Sequence, residues 1–290
     1  MKKSFYAITM AILFCFVLSS CTPGNTDKKI KIGMVNWIDN ISTAYLWKLI
    51  LEEKGYDVEI IELEKIALWT GLSRGDIDVT GQVWLPLTDK PLYDKFKKDV
   101  EIGEPWFEGT RLGLAVPQYM KDVNSIEDLN SKKAEYNGEI IGIDPGSSLM
   151  QLTTKAKQKY GLDYELVESS EAAMLTEFKK AYKKKEPIVV TLWSPHWVFA
   201  DYDIKYLDDP KNVYGAPDKI HSMSRIGFTE EHPEIVKWMS EWKMNDKQLN
   251  SLIKYVQEES LTQEPDAYEK GAEKWIKKNR DLVDSWIEEK

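Results

Sequence analysis

The stretch Pro187–Trp197, PIVVTLWSPHW, carries the fold of this chain. Ile188–Leu192 is a short apolar run rich in β-branched residues, with Pro187 before it and Ser194 and Pro195 after it. Such a run reads as a buried strand of a parallel sheet that passes at once into a loop. Trp193 then stands at the carboxyl end of the strand, where open α/β sheets hold their ligands. The pattern recurs twice. Lys31–Asn36 is a strand-like run ending at Trp37, and Ile77–Val83 is another ending at Trp84 and passing into Leu85-Pro86. Three strand-like runs each deliver a tryptophan to a turn or loop, and the three side chains are expected to converge on one small cation.

Outward from these strands the chain alternates α and β. Asp39 or Ser42 is expected to cap a helix through Ile41, Tyr45, Leu49 and Ile50 that Gly55 ends. Asp57–Leu63 reads as a strand, Ile66–Arg74 as a short helix stopped by Gly75, and Arg111–Val116 as a strand closed by Pro117. A second sheet unit is expected from about residue 120. It begins with a helix start at Ser125 and Asp128, followed by strands at Ile140–Ile143 and Tyr164–Val167 and an amphipathic helix at Ser170–Lys184. Asp203–Leu207 reads as an edge strand, and Met223–Phe228 as a strand returning to the first unit. Repeated βα units with short connections predict an α/β fold with mostly parallel central sheets. From Pro233 to Lys290 the pattern is helical, and Trp238, Trp242, Trp275 and Trp286 fall at packing positions.

With 290 residues and 42% hydrophobic content, the chain has room for two domains. Met1–Cys21 is read as a leader outside the fold: Lys2 and Lys3 precede the apolar run Ala7–Val17, which is too short for a typical membrane span. Leu18-Ser19-Ser20-Cys21 then looks like a bacterial lipoprotein cleavage box, which makes Cys21 the expected lipidated residue. The other cysteine, Cys15, lies in the leader, so no internal disulfide is expected. Residues 22–29 read as a tether. The net charge is −9, and loss of Lys2 and Lys3 makes it more negative by two. An acidic, exported chain is a poor candidate for binding nucleic acid.

Asp144-Pro145-Gly146-Ser147-Ser148 reads as a turn into a helix through Leu149, Leu152 and Ala156. The first N–H groups of a helix lack intrahelical acceptors and, with the positive end of its dipole, form an anion site. Plain capping explains a Ser-rich helix start equally well. The tryptophans tip the balance. A quaternary ammonium cannot donate a hydrogen bond and is recognised by aromatic faces. A cation cage beside a carboxylate pocket describes a betaine.

The chain resembles the glycine-betaine-binding proteins of osmoprotectant ABC importers, the OpuAC/ProX-like family. The matching stretches include Val35-Asn36-Trp37, Val83-Trp84-Leu85-Pro86, residues 113–120, residues 123–129, Ile141–Ser147, Trp193–Trp197 and Lys205–Pro210. The resemblance implies a type II periplasmic-binding fold, with two lobes joined by a two-segment hinge and closing on ligand. It assigns residues 30–118 and 219–290 to the first lobe and 119–218 to the second. It implies a cage of Trp37, Trp84 and Trp193, and carboxylate binding by the backbone N–H groups of Ser148 and Leu149. Gly146, Asp89 and His196 are expected to support the site. It also implies a permease and its ATPase as partners and a monomer anchored to the membrane by lipid. No cofactor or metal is implied.

Two positions depart from the family pattern. Relatives place a histidine that helps hold the carboxylate three residues after the Leu-Pro, where this chain has Asp89. An ionised Asp repels a carboxylate, so Asp89 points away, or Thr88 or Gln82 substitutes, or the ligand differs. Relatives have Gly at the position of Ser148, a change that leaves backbone donation intact. These departures keep choline, carnitine and proline betaine open beside glycine betaine. His196 is expected to support its loop, and Trp197 and Trp69 to pack. An enzyme acting on a quaternary amine is a poor fit, because His196, His221 and His232 form no nucleophile–base or metal set. A ligand-sensing lipoprotein of the same fold stays open.

Overall fold

The computed structural model describes residues 28–288. The expected leader, the expected lipidation site at Cys21, and the expected tether up to residue 27 lie outside the described residues. The first of two five-stranded sheets holds β1 (Lys29–Met34), β2 (Asp57–Glu62), β3 (Val79–Leu85), β4 (Val100–Glu108) and, after the second lobe, β10 (Lys219–Arg225). Its order is β2-β1-β3-β10-β4. The second holds β5 (Arg111–Pro117), β6 (Glu139–Ile141), β7 (Glu165–Val167), β8 (Val190–Ser194) and β9 (Ile204–Tyr206), in the order β7-β6-β8-β5-β9.

The sheets are mixed, which corrects the expectation of mostly parallel strands. β1 is parallel to β2 and β3, while β10 is antiparallel to β3 and β4. In the second sheet β6 is parallel to β7 and β8, while β5 is antiparallel to β8 and β9. The reason lies in the crossings between lobes. β5 and β10 are the first strands after each crossing. They enter from the cleft, opposite Ser194 of β8 and Leu85 of β3, and so run against the strands that end there.

The first crossing also corrects a boundary. Arg111–Val116 was expected in the first lobe, yet it pairs only within the second sheet, so the chain crosses at Gly109-Thr110. The two crossings are tied together: Asp218 N–H donates to Thr110 Oγ1 (2.8 Å), whose hydroxyl donates to the Asp218 carbonyl (3.1 Å). Strand β4 was not foreseen at all.

Helices cover both sheets, and local chemistry explains their ends. α1 (Ile38–Glu53) starts with Trp37 at its cap position and no side-chain cap; Asp39 and Ser42 lie inside the helix, against the expectation that one of them caps it. α2 (Lys65–Arg74) stops at Gly75, whose φ of 78° is a left-handed cap that side chains resist. α3 (Lys90–Phe96) has proline in its first turn. α4 (Ser148–Tyr160) and α5 (Glu171–Lys184) each start after a serine. The Ser147 hydroxyl accepts from Met150 N–H and the Ser170 hydroxyl from Ala173 N–H, both at 3.2 Å. Helices Asp246–Ser260 and Ala267–Lys278 pack on α1, and Pro233–Glu241 packs on β4. α1 is therefore covered on nearly every side, which explains why its buried face extends around the helix.

Candidate functional site

The loop after β1 and the ends of β3 and β8 meet across the gap between the lobes. They bring Trp37, Trp84 and Trp193 to the wall of one cavity of ≈ 40 Å³. Each indole N–H is already committed to the protein. Trp37 Nε1 donates to Asp144 Oδ2 (3.0 Å), Trp84 Nε1 to Gln82 Oε1 (3.0 Å) and Trp193 Nε1 to Asp39 Oδ1 (3.2 Å). These bonds fix the ring planes and leave aromatic faces as what the cavity meets. The Trp37 and Trp193 rings lie 6.3 Å apart at 53°.

Two of these bonds join the lobes, because Asp144 belongs to the second and Asp39 to the first. A third joining contact comes from Glu171 at the start of α5. Its Oε2 accepts the buried N–H of Ile38 (2.9 Å), the first residue of α1. The second lobe thus supplies the carboxylate that caps α1, where an anion is favoured by the helix dipole. Glu171 Oε1 bonds His196 Nε2 (3.0 Å), and His196 Nδ1 accepts from Val198 N–H (3.2 Å). These partners assign the hydrogen to Nε2, so that the imidazole donates to Glu171. The ring stands edge-on to Trp193 at 4.8 Å and does not line the cavity. His196 therefore orients Glu171 and buttresses Trp193.

Ser147, Ser148 and Leu149 line the cavity at the start of α4. Ser147 closes the turn by donating its N–H to the Asp144 carbonyl (3.0 Å). The N–H groups of Ser148 and Leu149 belong to the first helical turn, which has no intrahelical acceptors for them. Gly146 lies in the turn but not on the cavity wall, and a Cβ there would meet open space. Nothing close by demands glycine at that position.

Of the alternatives left open for Asp89, the structure shows a carboxylate turned toward the protein. It is fully buried, accepts Trp84 N–H at Oδ2 (2.9 Å), and takes Lys65 Nζ and the Ser148 hydroxyl (3.5 Å) at Oδ1. Gln82 is committed to Trp84 and to Thr43 Oγ1 (3.2 Å) and is not on the wall, whereas Thr88 is. The Thr88 and Leu87 N–H groups are held by the Asp218 carboxylate (2.8 and 2.6 Å), which ties this wall to the crossing segments.

Asp39 is the carboxylate on the wall that the sequence reading placed wrongly, as a helix cap. It is fully buried, and burial first and the Glu171 charge second raise its pKa from 3.8 to about 6. Lys65 and Glu171 were not singled out, and Asp144 was read only as the start of the turn into α4. Trp197 and Trp69 are buried away from the cavity. Trp197 packs on His196 and Tyr202, and Trp69 on Phe96.

Two lobes with sheets meeting at a cleft, and a tryptophan-walled cavity between them, define a solute-binding protein of the bilobal class. Residues 28–278 match the OpuAC family, described as the substrate binding domain of ABC-type glycine betaine transport systems, and the chain belongs to this family. It is 39% identical over 157 residues to the glycine betaine/carnitine transport binding protein GbuC of Listeria monocytogenes. That alignment covers 53% of this chain and half of the Listeria protein's length. Among solved structures, lactococcal OpuAC in a closed-liganded complex with glycine betaine superposes with a TM-score of 0.82 at 33% identity, covering 90% of this chain and all of that one. An ABC-transporter choline-binding protein in complex with choline superposes at 0.81 with 27% identity, covering 91% of this chain and 93% of that one.

Proposed function

We propose that this chain binds a quaternary ammonium compound, glycine betaine first among them, between its lobes and delivers it to the permease of an ABC importer. The observation that carries the reading is the state of the three indoles. Trp37, Trp84 and Trp193 reach one cavity with their N–H groups bonded to protein, so faces and not donors meet the ligand. Each face contributes roughly 0.5–2 kcal/mol to holding a cation that has no hydrogen-bond donor. The ionised form of Asp39 adds the matching charge. The Ser148 and Leu149 N–H groups, at the positive end of α4, suit a carboxylate. The names of the Listeria and lactococcal relatives support glycine betaine, and carnitine follows from the first of them. Choline is the second reading, favoured by the choline-binding relative and by Asp39 on the cavity wall.

In this account the first lobe comprises residues 30–109 and 219–290, and the second 110–218. The protein is exported, tethered outside the cytoplasmic membrane through lipidated Cys21, and works as a monomer with a permease and an ATPase. It performs no catalysis of its own. Calorimetric titration of the purified protein with glycine betaine and choline tests the reading. Saturable one-to-one binding of glycine betaine supports it. Heat with neither ligand, nor with carnitine, overturns it.

A further inference from the structure

Lys65, the first residue of α2, is buried and forms part of the cavity wall. Its ammonium lies 5.4 Å over the Trp37 ring and pairs with Asp89 Oδ1. Asp89 itself does not reach the wall. Its other oxygen is taken by Trp84 N–H, and the oxygen that meets Lys65 also accepts the Ser148 hydroxyl. The carboxylate is therefore met by three donors, while the ammonium has one acceptor among the described residues and three hydrogens to give. The charge that this end of the cavity presents is that of Lys65. It stands beside Ser148, whose N–H is offered at the same end. The carboxyl group that does line the wall, Asp39, is bonded to Trp193 and not to this cluster.

We infer that Lys65, held in place by Asp89, receives the carboxylate of the ligand and selects a zwitterionic quaternary ammonium over choline. The inference rests on the quaternary ammonium reading above and sharpens it. An ammonium bonded to a carboxylate makes a charge-assisted hydrogen bond, stronger than a neutral one. The same ammonium is unfavourable to choline, which brings a cation and no anion. The Asp at position 89 is then no obstacle to a betaine: its role is to orient the lysine, and the pair supplies the donor.

The test is calorimetric titration of glycine betaine and choline into the wild-type protein and the double variant Lys65→Met/Asp89→Asn. The double variant removes both charges together and leaves no unpaired ion buried. Thermal unfolding monitors folding, and Lys65→Arg serves as the charge-retaining second variant. The expected result is a loss of about 10–100-fold in glycine betaine affinity in the double variant. Choline stays within about threefold of wild type or tightens, and Lys65→Arg keeps most of the preference for glycine betaine. Wild-type affinity for glycine betaine in the double variant, or equal losses for both ligands, overturns the inference and leaves the cation cage standing. Absence of binding of either ligand by the wild-type protein overturns the cage reading and this inference with it.

Discussion

Two groups of tryptophans in this molecule are held in different ways. Trp47, Trp106 and Trp242 sit behind the first sheet, where Trp106 stacks on Trp242 at 3.8 Å and 11° and Trp47 meets Trp242 edge-on at 5.4 Å. Among the described residues, the indole N–H groups of Trp47 and Trp242 have no acceptor, while Trp106 Nε1 donates to the Gly81 carbonyl (2.6 Å). Trp84 and Trp193 in the cleft are almost as buried, yet each of them, and Trp37 beside them, has its N–H bonded to a carboxylate or amide. A ring packed on all sides gains enough from contact, roughly 3–5 kcal/mol by truncation, to outweigh an unmet N–H at about 1–3 kcal/mol. A ring that borders a cavity lacks that packing, and a hydrogen bond fixes its plane. All three cleft indoles are bonded to polar side chains, whereas two of the three core indoles go unmet and the third, Trp106, is held by a backbone carbonyl.

Trp193→Ala against Trp242→Ala is the strongest way to break this comparison. Loss of the Trp193 face is expected to weaken glycine betaine binding by roughly 30-fold. Its effect on the denaturant midpoint should be the smaller of the two. Trp242→Ala is expected to cost about 3–5 kcal/mol of stability. The protein that remains folded should titrate within about twofold of wild type. Paired titration and urea unfolding check both variants. Equal behaviour of the two would remove the distinction.

Glu171 sharpens the comparison from the lobe interface. Glu171→Ala strips the acceptor from Ile38 N–H and the partner from His196, both buried. A hydrogen bond to a charged group is worth about 1.5–3 kcal/mol, so affinity is expected to fall by about tenfold or more. The bond joins the lobes, so the loss should appear for glycine betaine and choline alike. A selective loss for one ligand would contradict the lobe-joining role.

Asp39 gives the site a pH dependence that the core tryptophans lack. Its folded pKa of about 6 lies above the ordinary 3.8, through burial first and Glu171 second, with His196 and the Trp193 bond acting the other way. For a raised carboxyl the folded state holds the extra proton, so this group lowers stability as pH rises from 3.8 to about 6, and no further above that. A bound cation favours the ionised form. Affinity is therefore expected to rise severalfold between pH 5 and about 7 and then level off. Titration at four pH values checks this, and Asp39→Asn should flatten the profile. A wild-type affinity that falls across this range would contradict the sign.

The smallest expected effect is that of Trp197→Phe. Trp197 is buried away from the cavity and, like Trp47 and Trp242, has an unmet N–H among the described residues. Binding should change by less than about twofold and stability by about 1 kcal/mol. Trp37→Phe, by contrast, leaves the Asp144 carboxylate without its indole donor and should weaken binding severalfold.

The strands that end in tryptophan were legible because their determinants are local. Short apolar runs followed by turn residues placed Trp37, Trp84 and Trp193 at strand ends, and Gly75 and Ser170 marked helix ends that the structure has. Lys65, Asp144 and Glu171 were illegible for the opposite reason. Their partners are distant in sequence: Trp37 lies 107 residues from Asp144, and Ile38 lies 133 from Glu171. A polar residue at a helix start reads as a cap or as solvated surface until the other lobe is in place. Asp39 failed in the same way, since a first-turn acid imitates a cap while its side chain serves Trp193. The mixed sheets were missed because pairing direction depends on where the chain re-enters after a crossing, which periodicity does not record.

The most direct measurement is a crystal structure of the protein with glycine betaine bound. The account predicts the trimethylammonium group among the faces of Trp37, Trp84 and Trp193, with the three indole N–H bonds to Asp144, Gln82 and Asp39 intact. The carboxylate should lie against the Ser148 and Leu149 N–H groups. A ligand bound outside this cavity, or one whose cation faces α4 while its carboxylate faces the tryptophans, would contradict it.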